Sequence, residues 1–241
     1  MAKILIRIAI SVVVVVGLVY GGILLYTKVI NPPEDKLNED DLTAIVSDSS
    51  DVPSTEVDAS SIPPASDSGV TGTWLATSDS TVGYRVKEVL GGVDTEGVGR
   101  TNQVNGSLTI QDTTLLSTVF EIDVASIKSD SSKRDSQFSG NIMDTATYPT
   151  ATFRLLTPIE LGAVPTDGQN ITATAQGELT LHGVTQPVSF EVTAKIANGI
   201  IGVLGSIDIT FADYGIANPS NAFVTTGDTG LLEFVLAFQK G

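Results

Sequence analysis

His182 is the sole histidine of the 241 residues, and there is no cysteine. A proton-transferring imidazole needs a partner acid or nucleophile, and a zinc site needs several nitrogen or sulfur ligands. One histidine without cysteine builds no His-rich or thiolate metal centre, and no Asp-rich loop has EF-hand spacing. No metal is therefore expected. By alternation His182 falls opposite Leu179 and Leu181, just before a turn, and hydrogen bonding within that turn is its expected role. The remaining charged constellation is Arg134, Asp135 and Asp144. It reads either as an ion pair with helix caps or, more sharply, as Arg134 offering its fork of donors to a polar ligand head. Ser206 and the other hydroxyls lack a nucleophile elbow or an available base, so no catalytic residue is assigned and hydrolysis is not expected.

Strands must hold these groups. Leu116, Thr118, Phe120, Ile122 and Val124 share one face against Ser117, Val119, Glu121 and Asp123, the period of two of a half-buried strand. Stretches 188–196 and 232–238 repeat it cleanly; weaker versions run through 82–86, 104–110, 151–155, 175–181 and 207–211. These predict about eight strands. Gly91-Gly92, the stretch 165–168, Asn198-Gly199 and Asn218-Pro219 supply turns. Without helix-length crossovers between most strands, neighbours should be antiparallel, and their apolar faces and edges call for a barrel or a sandwich. The exception is 130–143. There Asp130 or Ser132 can cap a short helix, and Phe138 and Ile142 give it an apolar stripe that covers one end.

Ahead of the strands lies a different composition. Residues 8–27 carry no charge and are mostly Val, Ile and Leu. At about 1.5 Å per residue they reach roughly 30 Å, the thickness of a bilayer core, and predict a transmembrane anchor within 1–30. Val12 to Val16 would weaken a helix in water, but in lipid a helix is what satisfies the backbone. Tyr20 and Tyr26 suit the far interface. Lys3 and Arg7 precede the span and acids follow it, which places the N-terminus in the cytoplasm and the rest outside the cell membrane. The apolar run exceeds the roughly 7–15 residues of a cleaved signal peptide, and 24–28 offers no small-x-small site, so the anchor is expected to stay. Residues 31–68 are rich in Pro, Ser and Asp, lack aromatics, and set ten acids against Lys36 alone. They predict a disordered, self-repelling linker before a domain at 69–241. A net charge of −15 excludes nucleic acid as a partner, since phosphates need clustered Lys and Arg.

Within the domain, three motifs in order resemble the YceI-like family. The first is Trp74 followed by Asp79-Ser80-Thr81-Val82-Gly83-Tyr84-Arg85-Val86-Lys87-Glu88. The second runs from Lys133-Arg134-Asp135 through Phe138 and Met143-Asp144 to Tyr148-Pro149-Thr150-Ala151-Thr152-Phe153. The third is Gly177-Glu178-Leu179-Thr180-Leu181-His182-Gly183-Val184-Thr185-Gln186-Pro187-Val188, ahead of Asp213-Tyr214-Gly215-Ile216. The resemblance implies an eight-stranded antiparallel lipocalin-like barrel with one short helix, in an extracytoplasmic bacterial envelope protein. It further implies a polyisoprenoid or isoprenoid-quinone chain bound in the interior, with no other cofactor. Interior positions facing that chain are then Tyr84, Leu108, Ile110, Phe120, Ile122, Phe153, Leu179, Phe190, Val192, Ile209, Phe211, Phe234 and Leu236, with Arg134, Asp135, Asp144 and His182 as rim or head-group contacts. Where many members carry histidines, this chain has Asp79, Glu88 and Gln137. The bilayer and an isoprenoid lipid are the expected partners. Alternation alone does not separate a hollow barrel from one filled by its own side chains. A solid-headed structural or interaction protein of the envelope, and after it a lipid-modifying enzyme, stand as alternative functions.

Overall fold

Each alternating stretch forms a strand in the computed structural model, which describes residues 2–47, 69–162 and 168–241, and of residues 2–10 the backbone alone. The strands are β1 Gly72–Ala76, β2 Thr81–Leu90, β3 Val93–Thr101, β4 Val104–Gln111, β5 Thr114–Asp123, β6 Lys128–Ser129 and β7 Thr150–Leu155. They continue as β8 Ile159–Glu160, β9 Asn170–Leu181, β10 Val184–Ala197, β11 Ile200–Thr210, β12 Val224–Thr226 and β13 Thr229–Lys240. Most of the turn expected at 165–168 lies outside the described residues.

The circuit β1-β4-β5-β7-β9-β10-β11-β13 returns to β1, an eight-stranded antiparallel barrel. Strand β13 pairs with β1 over Phe238–Lys240 and with β2 over Leu231–Val235, so β1 and β2 divide one of its edges between them. At the β1 end Trp74 turns inward, donates its indole N–H to the Val70 carbonyl at 2.8 Å, and closes the barrel with Val70, Leu108, Ile110 and Phe238. The β2–β3 hairpin extends past the opposite end, which we call the mouth.

Five strands lie beyond the alternating stretches, and three of them, β6, β8 and β12, have only two or three residues each. Strand β1 is short, and β3 shows no apolar stripe because its inward positions beside Tyr84 and Val86 are Gly99 and Gly97. A β-carbon on Gly99 would lie 2.6 Å from the Tyr84 ring, so the ring itself takes the place of a β3 side chain. A second difference lies in β5, where a bulge between Thr109 and Ile110 pairs Ile110 with Leu115. Leu116, expected on the inner face, is therefore exposed and Leu115 turns in, since one extra residue reverses the parity of a strand.

The N-terminal helix α1, Ala2–Leu25, runs on as a π turn through Ile30, and Ser11–Ile30 is long and apolar enough to cross a membrane. The expected disordered linker 31–68 divides. Residues 48–68 lie outside the described residues, whereas 31–47 lies along the barrel's outer wall and forms helix α2, Glu39–Ser47. Asn38 Oδ1 accepts from the Asp40 N–H at 2.7 Å and Asp41 Oδ2 from the Asn38 N–H at 2.8 Å, a reciprocal cap. The acids read as stalk charge thus occupy the first turn, where the helix dipole favours them. Leu42 and Val46 seat on Gly202 of β11, and Asn198 donates to the Val46 carbonyl at 2.9 Å. Upstream, the fully buried Glu233 on the outer face receives Arg85 at 3.2 Å and Arg100 at 2.7 Å. Arg85 and Arg100 also donate to the Glu34 and Asp35 carbonyls. The apolar residues of this strap are too few to show as a period, yet they meet a wall shaped for them.

Candidate functional site

The interior is of two kinds. Toward the closed end, five phenylalanines form a continuous layer across the barrel: Phe238 to Phe120 (5.6 Å between ring centres), Phe120 to Phe153 (6.4 Å), Phe153 to Phe190 (5.4 Å) and Phe190 to Phe234 (6.0 Å). Inward glycines make room for these rings. A β-carbon on Gly106, Gly177 or Gly205 would stand 2.4 Å from Phe120, Phe153 or Phe234. Below this layer Leu108, Ile110 and Leu236 join the closing cluster, and Val192 packs beside Phe153 and Ala175.

Toward the mouth lies a cavity that runs into a crevice under Pro32 to Glu34, the two together measuring about 790 Å³. Its wall includes Val86, Ile122, Val124, Ala151, Leu179, Leu181, Ile209, Phe211 and Leu232. At the mouth Tyr84 stacks on Phe138 at 4.8 Å. Phe138 belongs to the expected short helix, observed as α3, Ser132–Gln137, with a π turn at Phe138–Ile142. Its N-cap position is Ser131, without a side-chain cap, rather than Asp130 or Ser132. Burial pushes the Tyr84 hydroxyl's pKa up, with Arg134 opposing and Glu88 reinforcing the shift. The phenol therefore stays neutral. Burial by itself would lower the pKa of Arg134, but Glu88 at 2.8 Å and Asp130 at 3.2 Å outweigh it and hold the guanidinium charged.

Of the interior residues expected from the sequence, Tyr84, Ile122, Leu179, Ile209 and Phe211 line this space. Phe120, Phe153, Phe190 and Phe234 belong to the aromatic layer, the floor beneath the lining residues, and Leu108, Ile110, Val192 and Leu236 are packed in the core clusters with it. Of the rim candidates only Arg134 borders the cavity. Asp135 Oδ1 accepts from the Ser129 N–H at 2.8 Å and its hydroxyl at 2.7 Å, which ties β6 to α3. Asp144 is exposed in a turn at φ 41°, its carbonyl accepting from Thr147 and Tyr148. His182 sits in the β9–β10 turn at φ 50°, its Nδ1 3.1 Å from the Tyr214 carbonyl and its ring against Tyr148. Among the described residues no three His, Cys, Asp or Glu gather as a metal site would need.

Glu88 escaped the sequence reading as a site residue. It lies on the inward face of β2 and takes both bonds from Arg134 Nη1, at 2.8 and 3.0 Å. Its place two residues after Val86 in an inward stripe was the available signal. Val86, Leu181, Leu232, Phe138, Ile142 and Ile216 also line the cavity, and all stood in apolar stripes or motifs already noted.

An antiparallel barrel closed by eight strands around an internal cavity is a lipocalin-like fold. The model of the YceI-like domain matches residues 74–238, and the chain belongs to the YceI-like family. Among solved structures, a polyisoprenoid binding domain from Saccharophagus degradans is similar at 18% identity and TM-score 0.58, over 71% of this chain and 99% of that one. Burkholderia cenocepacia BcnA follows at 23% identity and TM-score 0.48, over 64% and 95%. The Campylobacter jejuni YCEI protein stands at 18% and 0.47, over 59% and 85%. The first likeness is one of fold. No curated protein matches the chain.

Proposed function

We propose that the chain is a membrane-anchored lipid-binding protein that holds a polyisoprenoid or isoprenoid-quinone chain in the upper half of its barrel, outside the cytoplasm, and performs no bond chemistry on it. The observation that carries this reading is the mostly apolar space inside the barrel, which with the crevice it opens into measures about 790 Å³, a volume within the roughly 300–1,000 Å³ of small-molecule pockets. The related domain from Saccharophagus degradans is a polyisoprenoid binder, which favours the same ligand class here. Burying a methylene contributes about 0.8 kcal/mol, so an isoprene unit contributes about 3–4 kcal/mol before entropic losses. Several units bind without a charged contact. Arg134 is engaged by Glu88 and Asp130, which suits an uncharged head near the neutral Tyr84 hydroxyl. Residues 8–27 span the bilayer with the N-terminus in the cytoplasm, and the anchor keeps the barrel beside the phase in which its ligand dissolves.

The test is lipid extraction and mass spectrometry of the full chain purified from its native membrane in mild detergent. A prenyl lipid in near-stoichiometric amount is expected. Recovery of detergent and bulk phospholipid alone would sink the proposal.

A further inference from the structure

The loops around the cavity mouth point at the anchor. The β2–β3 turn, Gly91-Gly92, touches α1 so closely that a β-carbon on Gly91 would lie 2.5 Å from Ile23 Cδ1, and one on Gly92 would lie 4.0 Å from the Tyr20 ring. Gly91 donates its N–H to the Phe223 carbonyl at 3.3 Å, and β12 continues that loop along Leu90 and Val89. Phe223, at 80%, is the most exposed large apolar side chain among the described residues, and Val89 is exposed beside it. A lone exposed apolar residue would mean little, but these two loops share a further property. In a chain of net charge −15, no charged residue lies between Asp213 and Asp228, nor between Glu88 and Asp94. Both loops are therefore free of the groups that most resist entry into a bilayer.

We infer that the mouth of the barrel is set into the outer face of the bilayer that α1 spans, with Phe223 and the Leu90 to Val93 turn below the head groups, so that a lipid chain passes from membrane to cavity without crossing water. Depth supplies the argument. Ile23 lies five residues before Lys28, about 7.5 Å along the helix, and the β2–β3 turn meets α1 at that level. A loop fixed to the helix below its flanking lysine shares the helix's surroundings there. Thr27 is buried at the same junction and satisfies its hydroxyl on the Ile23 carbonyl at 3.0 Å, so it brings no unmet polar group to that depth. Leu90, Pro219, Phe223 and Val224 line the cavity together with Tyr26 and Thr27 of the anchor segment, so the opening lies between these loops and the helix.

This rests on the anchoring read under the proposed function, and its test separates the two. The absence of native cysteine allows single labels in the full chain, F223C at the mouth and Q111C at the end of β4, at the closed end. Each variant carries an environment-sensitive fluorophore and is reconstituted into phosphatidylcholine vesicles with or without a lipid quencher placed high in the acyl region. Flotation reports anchoring independently. The expected result is that both variants float, that the label at 223 shifts to the blue and loses most of its fluorescence to the quencher, and that the label at 111 is unaffected. Floating protein with neither label quenched, or with both quenched, overturns the mouth-down placement while the anchor stands. Protein that does not float removes the anchor and this inference together. Phe223 is exposed, so its replacement does not threaten the fold.

Discussion

The two halves of the barrel are built on one alternation and differ in what fills them. Below, phenylalanines lean over inward glycines of neighbouring strands until their rings meet across the interior. Above, leucines, isoleucines and valines line the wall and leave a cavity between them. An aliphatic side chain reaches part of the way across an eight-stranded barrel, whereas a ring that faces a missing β-carbon reaches further. The contrast separates stability from capacity: the closed half holds the fold and the mouth half holds the space.

Substitutions can break or sharpen this contrast. Phe238 is fully buried where floor and closing cluster meet, so Phe238→Ala should cost about 3–5 kcal/mol in denaturant unfolding, the largest effect expected. Outside the wall, Leu42→Ala should cost about 2 kcal/mol and strip hydrogen-exchange protection from α2 while the strands keep theirs. Unchanged protection over α2 would contradict the docked strap. Adding bulk should part the halves more sharply. Leu108→Phe, below the floor, should destabilise by about 1–3 kcal/mol, whereas Ile209→Phe, on the cavity wall, should cost under about 1 kcal/mol and reduce co-purified lipid. Equal costs would mean that the upper half is as tightly filled as the lower.

The smallest effect concerns pH. Burial raises the Tyr84 pKa above its ordinary 10.0, so the folded barrel keeps the phenol protonated where the unfolded chain ionises it. The neutral form's contribution is complete below pH 10 and is lost as pH climbs above it. Tyr84→Phe should therefore lessen the fall in stability as pH climbs from about 10 towards 12, measured by urea unfolding.

Much of this was legible in advance. Stripes such as Phe190-Val192 and Phe234-Leu236 located strands and inward faces because facing follows from parity alone. Hollow against filled was not legible, since it depends on which ring leans over which glycine across a strand pair, as Phe153 does over Gly177. Strand β3 was missed for the same reason, its inward glycines yielding their space to Tyr84 and to the Arg134–Glu88 pair. The strap was missed because acid content outweighed local grammar, although Asn38 with Asp41 is a capping pair and Leu42 with Val46 a helical one. The motif order carried the family, while Asp135, Asp144 and His182, expected at the rim, lie off the cavity lining in a turn or a backbone tie that alternation does not reveal.

The most direct test of a barrel half filled by protein and half by lipid is a crystal structure of the full chain purified with its native lipid. The account predicts continuous elongated density between Leu179, Ile209 and Phe211 that ends above the rings of Phe153 and Phe190. A collapsed upper half without such density, or a chain running past the phenylalanine layer to Trp74, would contradict it.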